Sequence, residues 1–223
     1  MRPGDTSEDA EPRYDLGDRQ PGGYYSLRGH PDLLVRITRD KLHELKESME
    51  LSREVPDEVR YVRPRKVGVY RGPEFQGERR AMLLKRPLGH VIHEESDPHR
   101  QRWQRMNQLL AEAPQEHYDK LVDDAEILEE IGLRIDPARA NNFFYHPENG
   151  FTIAPASHGN DLSPEFLAIS LAATYLVDKF DTQGLSQRDV ENIREIHDKL
   201  RTAGVPRNDQ FESGLVNLES QLL

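Results

Sequence analysis

The stretch RIDPARANNFFYHPENGFTIAPASHG, residues 134–159, decides how this chain is read. Asp136 is followed five positions later by Asn141, then by Phe143-Phe144-Tyr145, a turn at His146-Pro147-Glu148-Asn149-Gly150, and a second apolar run, Phe151-Thr152-Ile153. An aspartate can accept or orient the proton of a hydroxyl, and an asparagine five residues on can ligate Mg²⁺. Two short β-prone runs around a Pro/Asn/Gly turn predict a hairpin. This is the layout of a phosphate-handling loop running into a metal-binding hairpin. Yet the hairpin ends in Ala154-Pro155-Ala156, where a carboxylate is expected and none stands.

On both sides of the loop the apolar residues recur at helical spacing. Upstream, Tyr118, Leu121, Val122, Ala125, Leu128 and Ile131 predict a helix over about 115–131 that stops at Gly132. Before it, Asp97-Pro98 can serve as N-cap and first residue of a helix carrying Trp103, Met106, Leu109 and Leu110. Downstream, Ser163-Pro164-Glu165 opens a helix through Phe180 that is apolar on most sides. Ser186 caps another, with Val190, Ile193, Ile196 and Leu200, ended by Gly204.

The first half of the chain reads differently. Residues 14–17, 23–28 and 33–37 are short β-prone segments between turn residues. The period then changes, and Leu42, Leu45 and Met49 predict one helix near 39–54, closed off by Pro56. Strands are predicted again at 59–62, 66–70 and 81–86. A strand-rich part with one helix, followed by a helical part, gives an α+β fold class. The expected organisation is an acidic, disordered tail at 1–13, a strand-rich N-lobe with an antiparallel sheet at 14–86, a connector or hinge at 87–96, and a reduced helical C-lobe at 97–223 that carries the loop.

The 223 residues include 35% hydrophobic and 31% charged side chains, with a net charge of −10. That balance argues against non-specific nucleic-acid binding, which needs a positive surface to displace counterions. There is no cysteine, which removes disulfides and thiolate chemistry and fits a cytoplasmic setting. The longest apolar stretch, FLAISLAATYLV at 166–177, is too short to cross a bilayer, so no membrane association is expected. His90 and His93-Glu94 lack the helical spacing of a zinc site, and His146 and His158 read as turn residues.

Three further features stand in order ahead of the loop. Gly17, Gly22 and Gly23 lie in a turn between two strands, where backbone amides could approach phosphate oxygens. Arg36 ends the strand Leu33-Leu34-Val35-Arg36, from which a cation could reach nucleotide phosphates and pair with Glu47 or Glu50 on the following helix. The run AMLLKRPLG at 81–89 is an apolar strand turning into a connector, against which a ligand held between lobes would lie.

This order resembles the protein-kinase-like fold, including small bacterial kinases and aminoglycoside-phosphotransferase-like relatives. The resemblance covers about residues 14–180. It implies a two-lobed protein with an interlobe cleft for ATP and Mg²⁺. Gly17 and Gly22 would match the outer glycines of the phosphate loop, with Arg19 at its middle position. Arg36 would stand in place of the strand lysine, Glu47 or Glu50 would be its helix partner, and residues 84–89 would be the hinge. Asp136 would be the catalytic aspartate, and Asn141 a catalytic-loop residue and metal ligand.

The departures are as informative. The metal aspartate should fall at Ala154–Ala156, most closely at Pro155, and arginine is no conservative replacement for lysine. The expected protein is therefore a degenerate, pseudokinase-like one that binds nucleotide weakly, binds a protein partner, or does both. An active atypical phosphotransferase would need Asp136 with metal ligation moved to Asp161 or Asn142. An interaction protein of unrelated α+β fold, with no nucleotide site, is the third reading.

Overall fold

The computed structural model describes residues 15–20, 23–38, 40–72, 75, 77–92, 100–133, 142–155, 186–207 and 209–222. It is a mixed α+β structure. Strands β1 (Leu16–Gln20), β2 (Tyr24–Leu27), β3 (His30–Thr38), β4 (Pro64–Tyr70) and β5 (Arg79–Lys85) form an antiparallel sheet in the order β1-β2-β3-β5-β4. Helix α1 (Leu42–Leu51) connects β3 to β4. A second, three-stranded antiparallel sheet is built from β6 (His90–Val91), β7 (Phe143–His146) and β8 (Gly150–Ile153). Among the described residues, the helices that follow the large sheet are α2 (Arg100–Glu112), α3 (Gln115–Glu130), α4 (Gln187–Thr202) and α5 (Asp209–Leu222).

Local chemistry explains most of these boundaries. In α4, Ser186 and Asp189 form a reciprocal capping box: the Ser186 hydroxyl accepts from the Asp189 amide at 3.2 Å, and the Asp189 carboxylate accepts from the Ser186 amide at 2.8 Å. Helix α3 ends where Gly132 takes φ +82°, which lets the Leu133 amide return to the Leu128 carbonyl at 2.9 Å. Helix α1 ends at Ser52, earlier than Pro56 demands, and the Arg53 and Glu54 amides bond three residues back, to Glu50 and Leu51, in a tightened last turn. The hairpin expected after Asn141 is present as β7 and β8, with Gly150 at φ +72° in its turn.

Two expectations need correcting. Residues 59–62 are not a strand of the large sheet. Val59 closes a turn on Pro56, the Tyr61 amide returns to the Val59 carbonyl at 2.9 Å, Tyr61 makes an isolated parallel bridge to Ile153, and Pro64 opens β4 two residues after Val62. Residues 87–96 are not merely a connector either: His90 and Val91 pair with Tyr145 and Phe144 as β6. Helix α5 was not singled out in the sequence. The tail at 1–13, the Asp97-Pro98 cap and the helix expected through Phe180 lie outside the described residues.

The large sheet uses its two faces for different neighbours. One face presents Tyr24, Leu34, Met82 and Leu84 to Leu42, Leu45 and Met49 of α1 and to Phe144 and Ala154 of the hairpin region. The main core joins α2, α3 and α4 to β7 and β8 through Leu110, Tyr118, Leu121, Phe143, Phe151 and Ile196. Lys199 of α4 donates to the Ala111 carbonyl and, at 2.8 Å, to that of Ala113, closing the α2–α3 turn. No helix among the described residues is long and apolar enough to cross a membrane.

Gly89 is the position at which the backbone tolerates least. It sits at φ +88°, and an added Cβ would fall 2.1 Å from the Tyr145 carbonyl oxygen. Gly132 has a similar φ but open space around it. Gly132→Ala is therefore expected to cost about 1 kcal/mol, the left-handed conformation alone. Gly89→Ala should cost at least twice that, because main chain must move. Chemical denaturation of the two variants in parallel checks the ranking.

Candidate functional site

Arg36 lies on β3, inside the sheet, with Tyr24 of β2 opposite it on one side and Met82 of β5 on the other. Period-2 alternation places its side chain on the face shared with Tyr24, Leu34 and Met82. It is 4% exposed. The guanidinium donates through Nη1 to the carbonyl oxygen of Pro155 and sits over the Tyr24 ring, with Cζ 5.5 Å from the ring centroid. Arg36 and Pro155 are therefore in direct contact, although 119 positions separate them.

Three backbone contacts hold Pro155 at that height. The Ile153 amide donates to the Arg60 carbonyl and the Val62 amide to the Ile153 carbonyl, both at 2.8 Å, and the Ala154 amide donates to the Asn142 carbonyl at 2.7 Å. Ala154 is fully buried, and Pro155 is buried beside it. Two phenols complete the surroundings. Burial raises the hydroxyls of both Tyr24 and Tyr61 above their usual range. The Arg36 charge opposes both shifts, as does the Ser48 hydrogen bond at Tyr61. Both phenols stay protonated at neutral pH, so neither neutralises the guanidinium.

The expected carboxylate partners are elsewhere, which corrects the reading of Arg36. Leu42, Leu45 and Met49 turn one side of α1 to the sheet, and this carries Glu47 and Glu50 toward solvent. Glu50 pairs with Arg53 on the surface, and Glu47 is exposed. Among the described residues, Arg36 forms no ion pair.

The glycines divide similarly. Gly17 lies within β1, where a Cβ would approach the Ser26 hydroxyl to 2.5 Å. Gly23, at φ +78°, has open space around it. Gly17 thus serves strand packing, whereas Gly23 leaves an open turn. Gly22, Asp136, Asn141 and Asp161 lie outside the described residues. No cluster of three or more metal-ligating side chains occurs among the described residues. Tyr24 and Tyr61 were not singled out in the sequence; the register of the β2–β3 hairpin, which sets Tyr24 across from Arg36, was the one signal that could have marked Tyr24.

Chemically, the arrangement offers a buried, positive donor with a neutral carbonyl as its acceptor. It offers no carboxylate at 154 or 155 for a cation. No known family model matches the chain, and no curated protein is significantly similar to it.

A second polar cluster supports the hairpin from behind. Asp124 of α3 accepts from the Arg60 amide at 3.2 Å and pairs with Lys120. Burial raises its carboxyl above the usual range, against the opposing effect of Lys120 and Arg60. His117 lies 3.3 Å through Nδ1 from the Tyr145 hydroxyl, and its pKa is lowered by burial and by the Arg60 charge.

Two measurements follow from this geometry. Arg36→Ala removes packed methylenes and the donor to Pro155, and should lower stability by about 2–4 kcal/mol. Arg36→Met keeps most of the packing and discards a buried charge but leaves the Pro155 carbonyl without its donor, so it should cost about 1–2 kcal/mol, less than Arg36→Ala. Separately, His117 and His197 both have folded pKa values below the ordinary 6.5. The unfolded chain therefore takes up protons first, and stability falls as pH drops from about 6.5 toward the folded values. Thermal midpoints between pH 7.5 and 5.5 should fall less steeply in a His117→Gln/His197→Gln protein than in the wild type.

Proposed function

We propose that this chain is a kinase-like protein with a degenerate catalytic apparatus, which acts by binding a protein partner rather than by transferring phosphate. The observation that carries the reading is the contact of Arg36 with Pro155. It brings together the two positions where the kinase-like resemblance implies a phosphate-binding lysine and a metal-binding aspartate, and neither residue is the one that the chemistry needs. Phosphoryl transfer depends on positioning and on neutralising charge with a metal, and a proline at this point supplies no ligating side chain. Its fixed φ also stiffens the turn against rearrangement. A buried guanidinium whose acceptor is a neutral carbonyl still favours an anion, so a nucleotide would be held weakly through its phosphates and without help from Mg²⁺.

The element order supports the same reading. A glycine turn between β1 and β2, a cation on the third strand, a helix after it and a hairpin ending at 154–155 follow one another as the resemblance implies.

The test is ATP-induced thermal shift with and without Mg²⁺ or Mn²⁺, combined with radiolabelled phosphate transfer, for wild type, Arg36→Met, Asp136→Ala and Asn141→Ala. The expected outcome is no transfer by any of the four. Any stabilisation by ATP should be small, equal with and without metal, and absent in Arg36→Met. Mg²⁺-dependent transfer by the wild type that Asp136→Ala abolishes would overturn the proposal in favour of an active phosphotransferase.

A further inference from the structure

The face of the large sheet opposite Arg36 is built to a different plan. Following the register across all five strands gives one row: Arg19, Tyr25, Val35, Leu83 and Lys66. The row is apolar in its centre and basic at both edges. In the next row inward from Lys66, Ile37 and Ala81 extend the apolar centre beside Gly68. Among the described residues, the apolar cluster on this face draws on the strands and on Phe75, whose ring packs edge-on against Tyr25 and Tyr70, each at 5.9 Å. Tyr25, Ile37 and Leu83 remain partly exposed.

The charges are the second observation. On a chain of net charge −10, this face carries Arg19, Lys66, Arg79 and Lys85. Among the described residues none of these four belongs to an ion pair, whereas many other surface cations do, including Arg28, Lys41, Arg53, Arg63 and Arg71. Arg79 instead lies over the Phe75 ring, 6.0 Å from its centroid. An apolar centre with unneutralised charge of one sign at its rim is the anatomy of a recognition surface, in which the centre gives affinity and the rim gives partner choice.

We infer that this face docks an acidic amphipathic segment of a partner protein, its apolar side chains on Tyr25, Ile37 and Leu83 and its carboxylates on Arg19 and Lys66. Arg19 and Lys66 are separated by four inter-strand steps of about 4.8 Å, or ~19 Å. A helix lying across the strands covers that distance in about 13 residues at 1.5 Å each. The inference rests on the reading of the chain as a partner-binding protein and names the chemistry of the partner.

The test uses a designed 16-residue amphipathic peptide with Leu and Phe on one side and Glu near both ends, its Glu→Gln and Glu→Lys counterparts, and the full-length protein. Fluorescence anisotropy should show binding of the Glu peptide at least tenfold tighter than of the Gln peptide, no binding of the Lys peptide, and weakening as salt rises. Arg19→Glu/Lys66→Glu should lose that preference at unchanged thermal midpoint, and Leu83→Ser should weaken all binding. Equal affinity for the Glu and Gln peptides, or no binding of either, overturns the inference. So does binding to phosphatidylserine vesicles without binding to the peptide, which would assign the face to a lipid surface. A concentration-dependent dimer abolished by Leu83→Ser, with no peptide bound, would assign it to a second copy of the chain. Phosphate transfer by the same preparations would overturn the non-catalytic reading while leaving the peptide result intact, because Arg19 and Lys66 face away from Arg36.

Discussion

Ile153 commits its backbone amide and carbonyl to one short extended segment, residues 60–62, and the rest of the architecture depends on that splice. The segment leads directly into β4, so the splice ties the hairpin to the large sheet. Asp124 anchors the same segment from α3 by accepting the Arg60 amide. One strand end, one extended connector and one helix thus meet within a few residues. The burial of Ala154 and Phe144 against the large sheet follows from it. Unpaired backbone groups at so buried a junction would each cost about 1–3 kcal/mol, which is why the geometry is tightly determined.

The Arg36 contact is a consequence of this splice. Beyond Ile153, Ala154 packs against the large sheet, and the Pro155 carbonyl lies beside the guanidinium. An arginine suits the place better than a lysine would. Its planar head can lie on the Tyr24 ring while donating in plane, and it is more weakly hydrated, so burial costs less. The result is a cation held by a dipole and a ring rather than by a carboxylate.

The two faces of the large sheet carry opposite electrostatic designs from the same strands. The inner face buries Arg36 among apolar side chains and phenols, where its charge is felt strongly. The outer face spreads its cations along the rim, in water, where they steer encounters more than they add stability. Alternation along each strand is what allows one sheet to do both, because consecutive residues such as Val35 and Arg36 point to different partners.

The sequence by itself determined the pieces whose physics is local. Helices α1, α3 and α4 are legible from the spacing of Leu42, Leu45 and Met49, of Tyr118, Leu121 and Val122, and of Val190, Ile193 and Ile196, and the Ser186 and Gly132 boundaries from their caps. The hairpin of β7 and β8 is legible from Asn149-Gly150 between two apolar runs. The absence of a carboxylate at Ala154-Pro155 is also plain in the sequence, since it is a matter of residue identity. What only the tertiary structure decided is which groups meet. Residues 59–62 are strand-like in composition, yet they turn at Arg60 and bond to Ile153 rather than joining the large sheet. Arg36 was expected to choose a carboxylate twelve or so residues away and instead reaches a carbonyl 119 residues away. Local preferences fix the shape of a segment, but the choice of partner depends on which distant surfaces the core brings together, and that is set by packing of the whole chain.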